Sequence, residues 1–235
     1  MSLKFACFVT GTDTGVGKTL ISAILLHGLA QAGLKTVGMK PLAAGAEMRD
    51  GTLYNDDVAA LEGASSLLVP RELVVPYLLR EPAAPHIAAA LEHTVIDPQR
   101  LLTAYTQIAA QADAVVVEGV GGFRVPLTDD FDTADLAEKL QLDVILVVGL
   151  RLGCLNHALL TADAIAARGL RLAGWVANQI DPAMPHQQDN IDALRSRLSA
   201  PLLGIVPHMA QASAAAAVQY LDFRWTGVVP AEFRL

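Results

Sequence analysis

The sequence predicts a doubly wound α/β domain with a mostly parallel sheet, one unit over residues 1–235. Three observations carry this. Short apolar runs rich in strand formers alternate with stretches of helical spacing along the whole chain. The strand runs are apolar throughout, as in Ala114-Val115-Val116-Val117, the pattern of strands covered by helices on both faces. Hydrophobic residues make up 53% of the chain and charged residues 17%, enough for one large core.

The elements follow in order. Phe5-Ala6-Cys7-Phe8-Val9-Thr10 reads as a strand stopped by Gly11. Thr19 to Gln31 places Leu20, Ile21, Ile24, Leu25, Leu29 and Ala30 at the spacing of a helix lying on a sheet, with Gly33 to end it. Thr36 to Lys40 is a second strand, broken by Pro41. The polar stretch from Ala43 to Tyr54 reads as loop, and a helix starts near Asp56. Pro70, Pro76, Pro82 and Pro85 make the next region irregular. Asp97-Pro98 is an N-cap followed by proline at the first helical position, opening a helix to about Gln111. Ala114 to Glu118 is a buried-type strand ending on a carboxylate, and Asp143 to Val148 is another. Leu155 to Arg168 is helical, closed by Gly169. Leu172 to Asn178 and Leu202 to Val206 complete the strands.

Composition excludes several function classes. A net charge of −7 argues against broad nucleic-acid binding. Mean hydropathy is +0.40, but no apolar run reaches the length of a membrane span. The opening Met1-Ser2-Leu3-Lys4-Phe5 lacks the features of a signal peptide. Two cysteines, Cys7 and Cys154, make neither a disulfide framework nor a metal spacing, so a reduced cytoplasmic protein is expected.

In such a sheet, ligands sit at the carboxyl ends of the strands. At the first strand end stands Gly11-Thr12-Asp13-Thr14-Gly15-Val16-Gly17-Lys18-Thr19. A strand, a glycine loop, Lys-Thr and a helix together form a phosphate-binding loop: backbone N–H groups and the helix N-terminus face phosphate oxygens, Lys18 reaches the terminal phosphates, and Thr19 offers a hydroxyl to magnesium. Five residues separate Gly11 from Gly17, one more than in the strict pattern. The fold is therefore expected to be of the P-loop NTPase type, binding ATP. Glu118 ends an all-valine strand before Gly119-Val120-Gly121-Gly122, and with Asp57 is a candidate magnesium ligand; the plainer readings are a strand-end salt bridge for Glu118 and a helix cap for Asp57. Lys40, at the second strand end, is equally an anion holder or a solvated charge. His86, near a helix start, reads as a local cap on spacing alone.

Several of these residues together resemble one family, the dethiobiotin synthetases. The resemblance rests on Gly11 to Thr19, Lys40-Pro41, Glu81-Pro82 with Pro85-His86, and Val117 to Gly122. It continues through Leu152-Gly153-Cys154-Leu155-Asn156-His157 and Ala173 to Asn178, covering nearly the whole chain in order. It implies a magnesium-dependent cyclo-ligase that joins 7,8-diaminononanoate, carbon dioxide and ATP through a carbamate and its mixed anhydride with phosphate. It puts Lys40, Lys18 and Thr14 at the reacting centre, with Thr19, Asp57 and Glu118 holding magnesium. Gly15, Val16, Gly17, Lys18, Thr19 and Leu20, with Gly119, Val120 and Gly121, would surround the phosphates; Asn178, Gln179, Pro207, His208 and Met209 would meet the base. Lys40 and Ala44 would face the diamine. Gly153, Cys154, Leu155 and Asn156 would bind its carboxylate from the partner subunit of a homodimer, leaving Cys154 a packing role. Three positions depart from the family: Ala44 stands where a serine or threonine is usual, Gly15 where some members carry glutamate, and Asn190 where some members carry a partner-subunit tyrosine. Competing readings are a related ATP-dependent synthase on another substrate, a partition-type ATPase switch and a small-molecule kinase. The switch proteins carry an extra lysine early in the loop, where this chain has Thr12-Asp13-Thr14.

Overall fold

The computed structural model describes residues 3–228; Met1 and Ser2 of the opening segment, and the final residues 229–235, lie outside that range. In chain order the elements are β1 (Phe5–Gly11), α1 (Lys18–Gln31), β2 (Thr36–Met39), β3 (Leu42–Ala43), β4 (Glu47–Arg49), β5 (Thr52–Tyr54), α2 (Asp56–Ala64), α3 (Arg71–Val74) and β6 (Tyr77–Leu78). There follow α4 (Pro85–Leu91), α5 (Pro98–Ala109), β7 (Ala114–Glu118), α6 (Thr133–Leu140), β8 (Asp143–Gly149), α7 (Cys154–Ala167), β9 (Leu172–Asn178), α8 (Gln187–Arg195), β10 (Leu202–Val206) and α9 (Ala214–Ala217).

Six strands make one sheet in the order β10-β9-β8-β1-β7-β2, every pairing parallel. β1 lies centrally, with Val9 opposite Glu118 and Gly11 opposite Val147. Alternation along β1 divides the core. Phe8 points to the side covered by α4, α5 and α6, while Cys7 and Val9 point to the side covered by α1. A third cluster, with Trp175 fully buried, packs α7 and α8 on β8 and β9. Both faces are therefore covered, as the all-apolar strands require. The carboxyl ends of β1, β2 and β7 converge on one edge, which brings Gly11, Lys40 and Glu118 together.

The predicted strands and the helices after Gly17, Asn55, Asp97 and Gly153 are present, with bounds shifted by a residue or two. Asn55 caps α2, accepting from Val58 N–H at 3.2 Å, which leaves Asp57 free of the capping role. Asp97 caps α5 by accepting from Gln99 N–H.

Three expectations are corrected. Residues 43–54 are not loop throughout: β4 and β5 form an antiparallel hairpin, with Arg49 opposite Thr52. Its two-residue turn, Asp50-Gly51, has φ of 50° and 76°, the primed turn that matches strand twist and favours Asp-Gly. The proline-rich region contains the short α3 and β6, the latter paired with β3. His86 caps nothing: α4 starts with no side-chain cap, and the imidazole Nδ1 instead meets the Pro126 carbonyl oxygen at 3.3 Å. Besides α3, the helices α6, α8 and α9 had no sequence assignment. Of these, α6 is opened by a capping box in which Asp132 accepts from Ala134 and Asp135 N–H groups and the Asp135 carboxylate accepts from Asp132 N–H.

Candidate functional site

The loop from Thr12 to Gly17 crosses the carboxyl end of β1 and delivers Lys18 and Thr19 on the first turn of α1. Gly17 has φ 89°, and a Cβ there would lie 2.1 Å from Asn178 Nδ2, so only glycine fits. Asn178, buried at the end of β9, donates from that Nδ2 to the Val16 carbonyl at 2.8 Å. The last residue of β9 thus braces the loop.

Lys18 is buried, and its Nζ donates to the Asp13 carbonyl at 3.0 Å. Burial, with the Lys40 charge beside it, pushes its pKa down to about 8, against the pull of Glu118, Asp57 and Asp13. Lys40 is not a solvated charge: it is 2% exposed. Its Nζ donates to Glu118 Oε1 at 2.6 Å, Asp57 Oδ2 at 2.9 Å and the Gly119 carbonyl at 3.2 Å. Burial pushes its pKa down, but the charges of Glu118 and Asp57 and the hydrogen bonds to them outweigh burial and raise it. For Asp57 burial works against ionisation, while Lys40 and the Thr19 hydroxyl outweigh it and lower the pKa.

Thr19 Oγ1 lies 2.7 Å from Asp57 Oδ1 and 2.9 Å from Glu118 Oε1. A hydroxyl has one proton to share between those acceptors. Glu118 is fully buried and its Oε2 has no hydrogen-bond partner. The carboxylate oxygens therefore outnumber the donors around them, at a depth where an unmet carboxylate oxygen is costly. This donor set of hard oxygens fits a divalent cation. Among the described residues no group of three His, Cys, Asp or Glu could hold a metal, so two carboxylates and a hydroxyl would leave the remaining positions to phosphate oxygens and water.

These groups open onto a cleft of about 930 Å³, within the range of small-molecule sites. Asp13, Thr14, Gly15, Gly17, Lys18 and Thr19 line it from the loop and the first turn of α1, together with Lys40 and Asp57. Val120, Gly121, Ala43, Ala44 and residues 82–85 complete its lining. The Ala44 carbonyl is 3.4 Å from Asn55 Nδ2, which ties this wall to the cap of α2.

Other sequence-predicted residues lie apart from this cleft. Leu20 faces a second, shallower groove between α1, α2 and the segment before α9. Gln179 N–H donates to the Val206 carbonyl at 2.9 Å, joining the ends of β9 and β10. Pro207 and Met209 are half-buried and His208 is exposed, with Met209 against the α1-side core. Gly153 (φ 95°) N-caps α7 without a side-chain cap; Leu155 is half-buried, Asn156 exposed, and Cys154 packed in the third core cluster. None of these four lines the cleft. Asn190, on α8, donates to the His186 carbonyl at 2.8 Å.

Sequence reasoning missed two polar contacts of the loop, the Asn178 bond to Val16 and an ion pair. The Arg151 guanidinium, two residues beyond β8, donates to the Asp13 carboxylate. Asp13 also accepts from Thr14 N–H at 2.7 Å, and that bond, with Arg151, holds its carboxyl below the usual range despite some burial. The strand-end rule that singled out Lys40 and Glu118 applies to Arg151 as well. The 82–85 wall overlaps the Glu81-Pro82 and Pro85-His86 motif of the resemblance, but none of its residues was assigned to the site.

Comparison with known proteins places the chain in a family. A family model described as an AAA domain matches residues 6–216. The structure resembles the septum site-determining protein MinD with Mg-ADP from Pyrococcus horikoshii OT3: 18% identity, 88% of this chain and 82% of that one, TM-score 0.53. A ParA family ATPase from Chlorobium tepidum TLS gives 16% identity, 93% and 90% coverage and the same TM-score. At such identities these share the P-loop NTPase fold alone. Two sequences are far nearer. An ATP-dependent dethiobiotin synthetase BioD from Janthinobacterium sp. (strain Marseille) is 59% identical over 95% of this chain and 96% of its own length. Another of that name, from Aromatoleum aromaticum, is 58% identical over 89% and 93%. Over that length and identity the agreement extends well beyond the phosphate loop, and the chain belongs to the ATP-dependent dethiobiotin synthetase family.

Proposed function

We propose that the protein forms dethiobiotin from 7,8-diaminononanoate, carbon dioxide and ATP, releasing ADP and phosphate. The observation that carries this reading is the buried Lys40 ammonium, which lines the same cleft as the phosphate loop, a cleft with room for more than a nucleotide's phosphates. A carbamate, anionic and about to attack the γ-phosphate, needs such a cation beside it.

In this reading one amine of the substrate takes up carbon dioxide as a carbamate. A carbamate oxygen attacks the γ-phosphorus and ADP leaves. The second amine then attacks the carbonyl carbon, the C–O bond to phosphate breaks, and the ring closes with loss of inorganic phosphate. Lys18 and the N–H groups of the loop meet the charge on the transferring phosphoryl group, and Lys40 orients the carbamate. Thr14, which also lines the cleft, would act at the reacting centre with them. Thr19, Asp57 and Glu118 would hold magnesium, which supplies charge neutralisation on the phosphates when bound. Asn178 spends an N–H on Val16, which leaves its carbonyl oxygen to accept from a base amine, as adenine presents; Gln179 and Pro207 to Met209 would complete the base site. Gly119 and Gly121, which lack side chains, would let the phosphates come close to the backbone on either side of Val120.

Ala44 lines the diamine side, and a backbone group or water takes the role of the family's hydroxyl. The uncapped first turn of α7 would bind the substrate carboxylate of the other protomer, so the working form is a homodimer of one-domain chains in the cytoplasm. Among the described residues no helix is long and apolar enough to cross a membrane. The partition-type switch shares the fold, but Thr12-Asp13-Thr14 lacks the loop lysine of such proteins. Incubation with Mg-ATP and bicarbonate tests the reading: ADP release should depend on the diamine and match the cyclic product mole for mole. ADP release indifferent to the diamine would sink it.

A further inference from the structure

The carboxylates read above as metal ligands already serve an internal cation. Lys40 Nζ donates to one oxygen of Glu118 at 2.6 Å, one of Asp57 at 2.9 Å and the Gly119 carbonyl at 3.2 Å, which uses the full set of ammonium donors. An ammonium so committed has no N–H left for a substrate. Lys18 differs: its recorded hydrogen bond runs to the Asp13 carbonyl and to neither carboxylate. The cluster of Lys18, Lys40, Asp57 and Glu118 balances two ammonium groups against two carboxylates, so a divalent cation entering it faces repulsion as well as attraction.

We propose that Lys40 and the divalent cation compete for the Asp57 and Glu118 carboxylates, so that Lys40 turns to the reacting carbamate only when the cation draws those oxygens away. This deepens the proposed function and rests on its metal set. It gives Lys40 two alternating partners of opposite consequence. The carboxylates hold it in a fixed, buried pose, and the carbamate receives it when they are engaged elsewhere. It also makes the cation's affinity low in the nucleotide's absence, because the cation must displace a hydrogen-bonded ion pair to bind.

Mn2+ binding without nucleotide, followed by the EPR signal of free Mn2+, tests this on the wild type and on Lys40→Met, Lys18→Met and Asp57→Asn. Lys40→Met should bind Mn2+ tighter by about tenfold or more, because the competing charge at contact distance is gone. Lys18→Met removes a neighbouring charge that holds neither carboxylate, and should gain no more than about threefold. Equal affinity of Lys40→Met and wild type, or an equal gain in Lys18→Met, overturns the competition. Asp57→Asn separates the two levels: if it leaves Mn2+ affinity unchanged, the metal set itself is wrong. If Lys40→Met does not fold alone, recovery of its structure by Mg2+ or Mn2+ supports a cation replacing the ammonium, and failure to fold in either condition contradicts it.

Discussion

At the carboxyl ends of β1, β2 and β7 the charged groups are buried and interlocked; beyond β8 and β9 they are exposed or replaced by backbone and amide contacts. Lys40 and Glu118 are almost wholly out of solvent and share one another's hydrogen bonds with Asp57 and Thr19. Arg151 and Asp13, by contrast, pair with side chains 42% and 45% exposed. Removing one member of the first set strands a buried charge, whereas the second set is screened by water. The first region can therefore hold a reaction's charges in one geometry. The second can brace the loop and offer helix N–H groups, but it does not by itself enclose a substrate.

That contrast orders the expected effects. Lys40→Ala should lower kcat by about 10²–10³-fold while nucleotide binding is largely kept, on the scale of one lost charge-stabilising donor; normal turnover would remove Lys40 from the chemistry. Asn178→Ala deletes a buried hydrogen bond and leaves the Val16 carbonyl unmet, which should weaken nucleotide binding by about 1–3 kcal/mol in calorimetric titration. An unchanged affinity would mean the loop holds its shape without β9.

The third effect is pH-dependent. With its pKa near 8, Lys18 carries its charge fully below that pH and loses it above. Phosphates bind the charged form, so nucleotide affinity should fall by up to about tenfold per unit as pH rises beyond 8. Lys18→Arg, charged throughout, should lack that limb, and a wild-type affinity flat to high pH would contradict the burial argument. For folding the sign is opposite: a lysine held below its ordinary value of 10.5 costs stability when charged, and that cost fades as pH rises from about 8 to 10.5. The smallest effect belongs to the exposed side. Arg151→Ala should cost about 0.2–1 kcal/mol in thermal unfolding, diminished further by salt; a loss of about 3 kcal/mol that salt leaves unchanged, on the scale of a broken buried pair, would erase the contrast.

The same division separates what could be read from the sequence. The phosphate loop, Lys40 and Glu118 were legible because each ends a strand, and strand ends in a parallel sheet share one edge. Asp57 was legible as a candidate only, since capping by Asn55 rather than by the acids depends on where α2 begins. What the sequence hides is contact between distant segments. Thr19 meets Asp57 across 38 residues and Glu118 across 99, while Asn178 meets Val16 across 162. No local pattern encodes which atoms face each other at such separations. Some local signals were present and unread: Asp50-Gly51 is a hairpin turn, and Asp132 with Asp135 is a capping box. His86 went astray for the opposite reason, a local cap expected where a tertiary contact to Pro126 won.

The central claim is that the buried side of the cleft presents a carbamate to the γ-phosphate. Turnover with ¹⁸O-labelled bicarbonate tests it most directly, read by mass spectrometry of the inorganic phosphate. If a carbamate oxygen attacks phosphorus and leaves with it at ring closure, the phosphate released on each turnover carries a bicarbonate-derived oxygen. Unlabelled phosphate accompanying the cyclic product would contradict the account, because the oxygen would then have come from water.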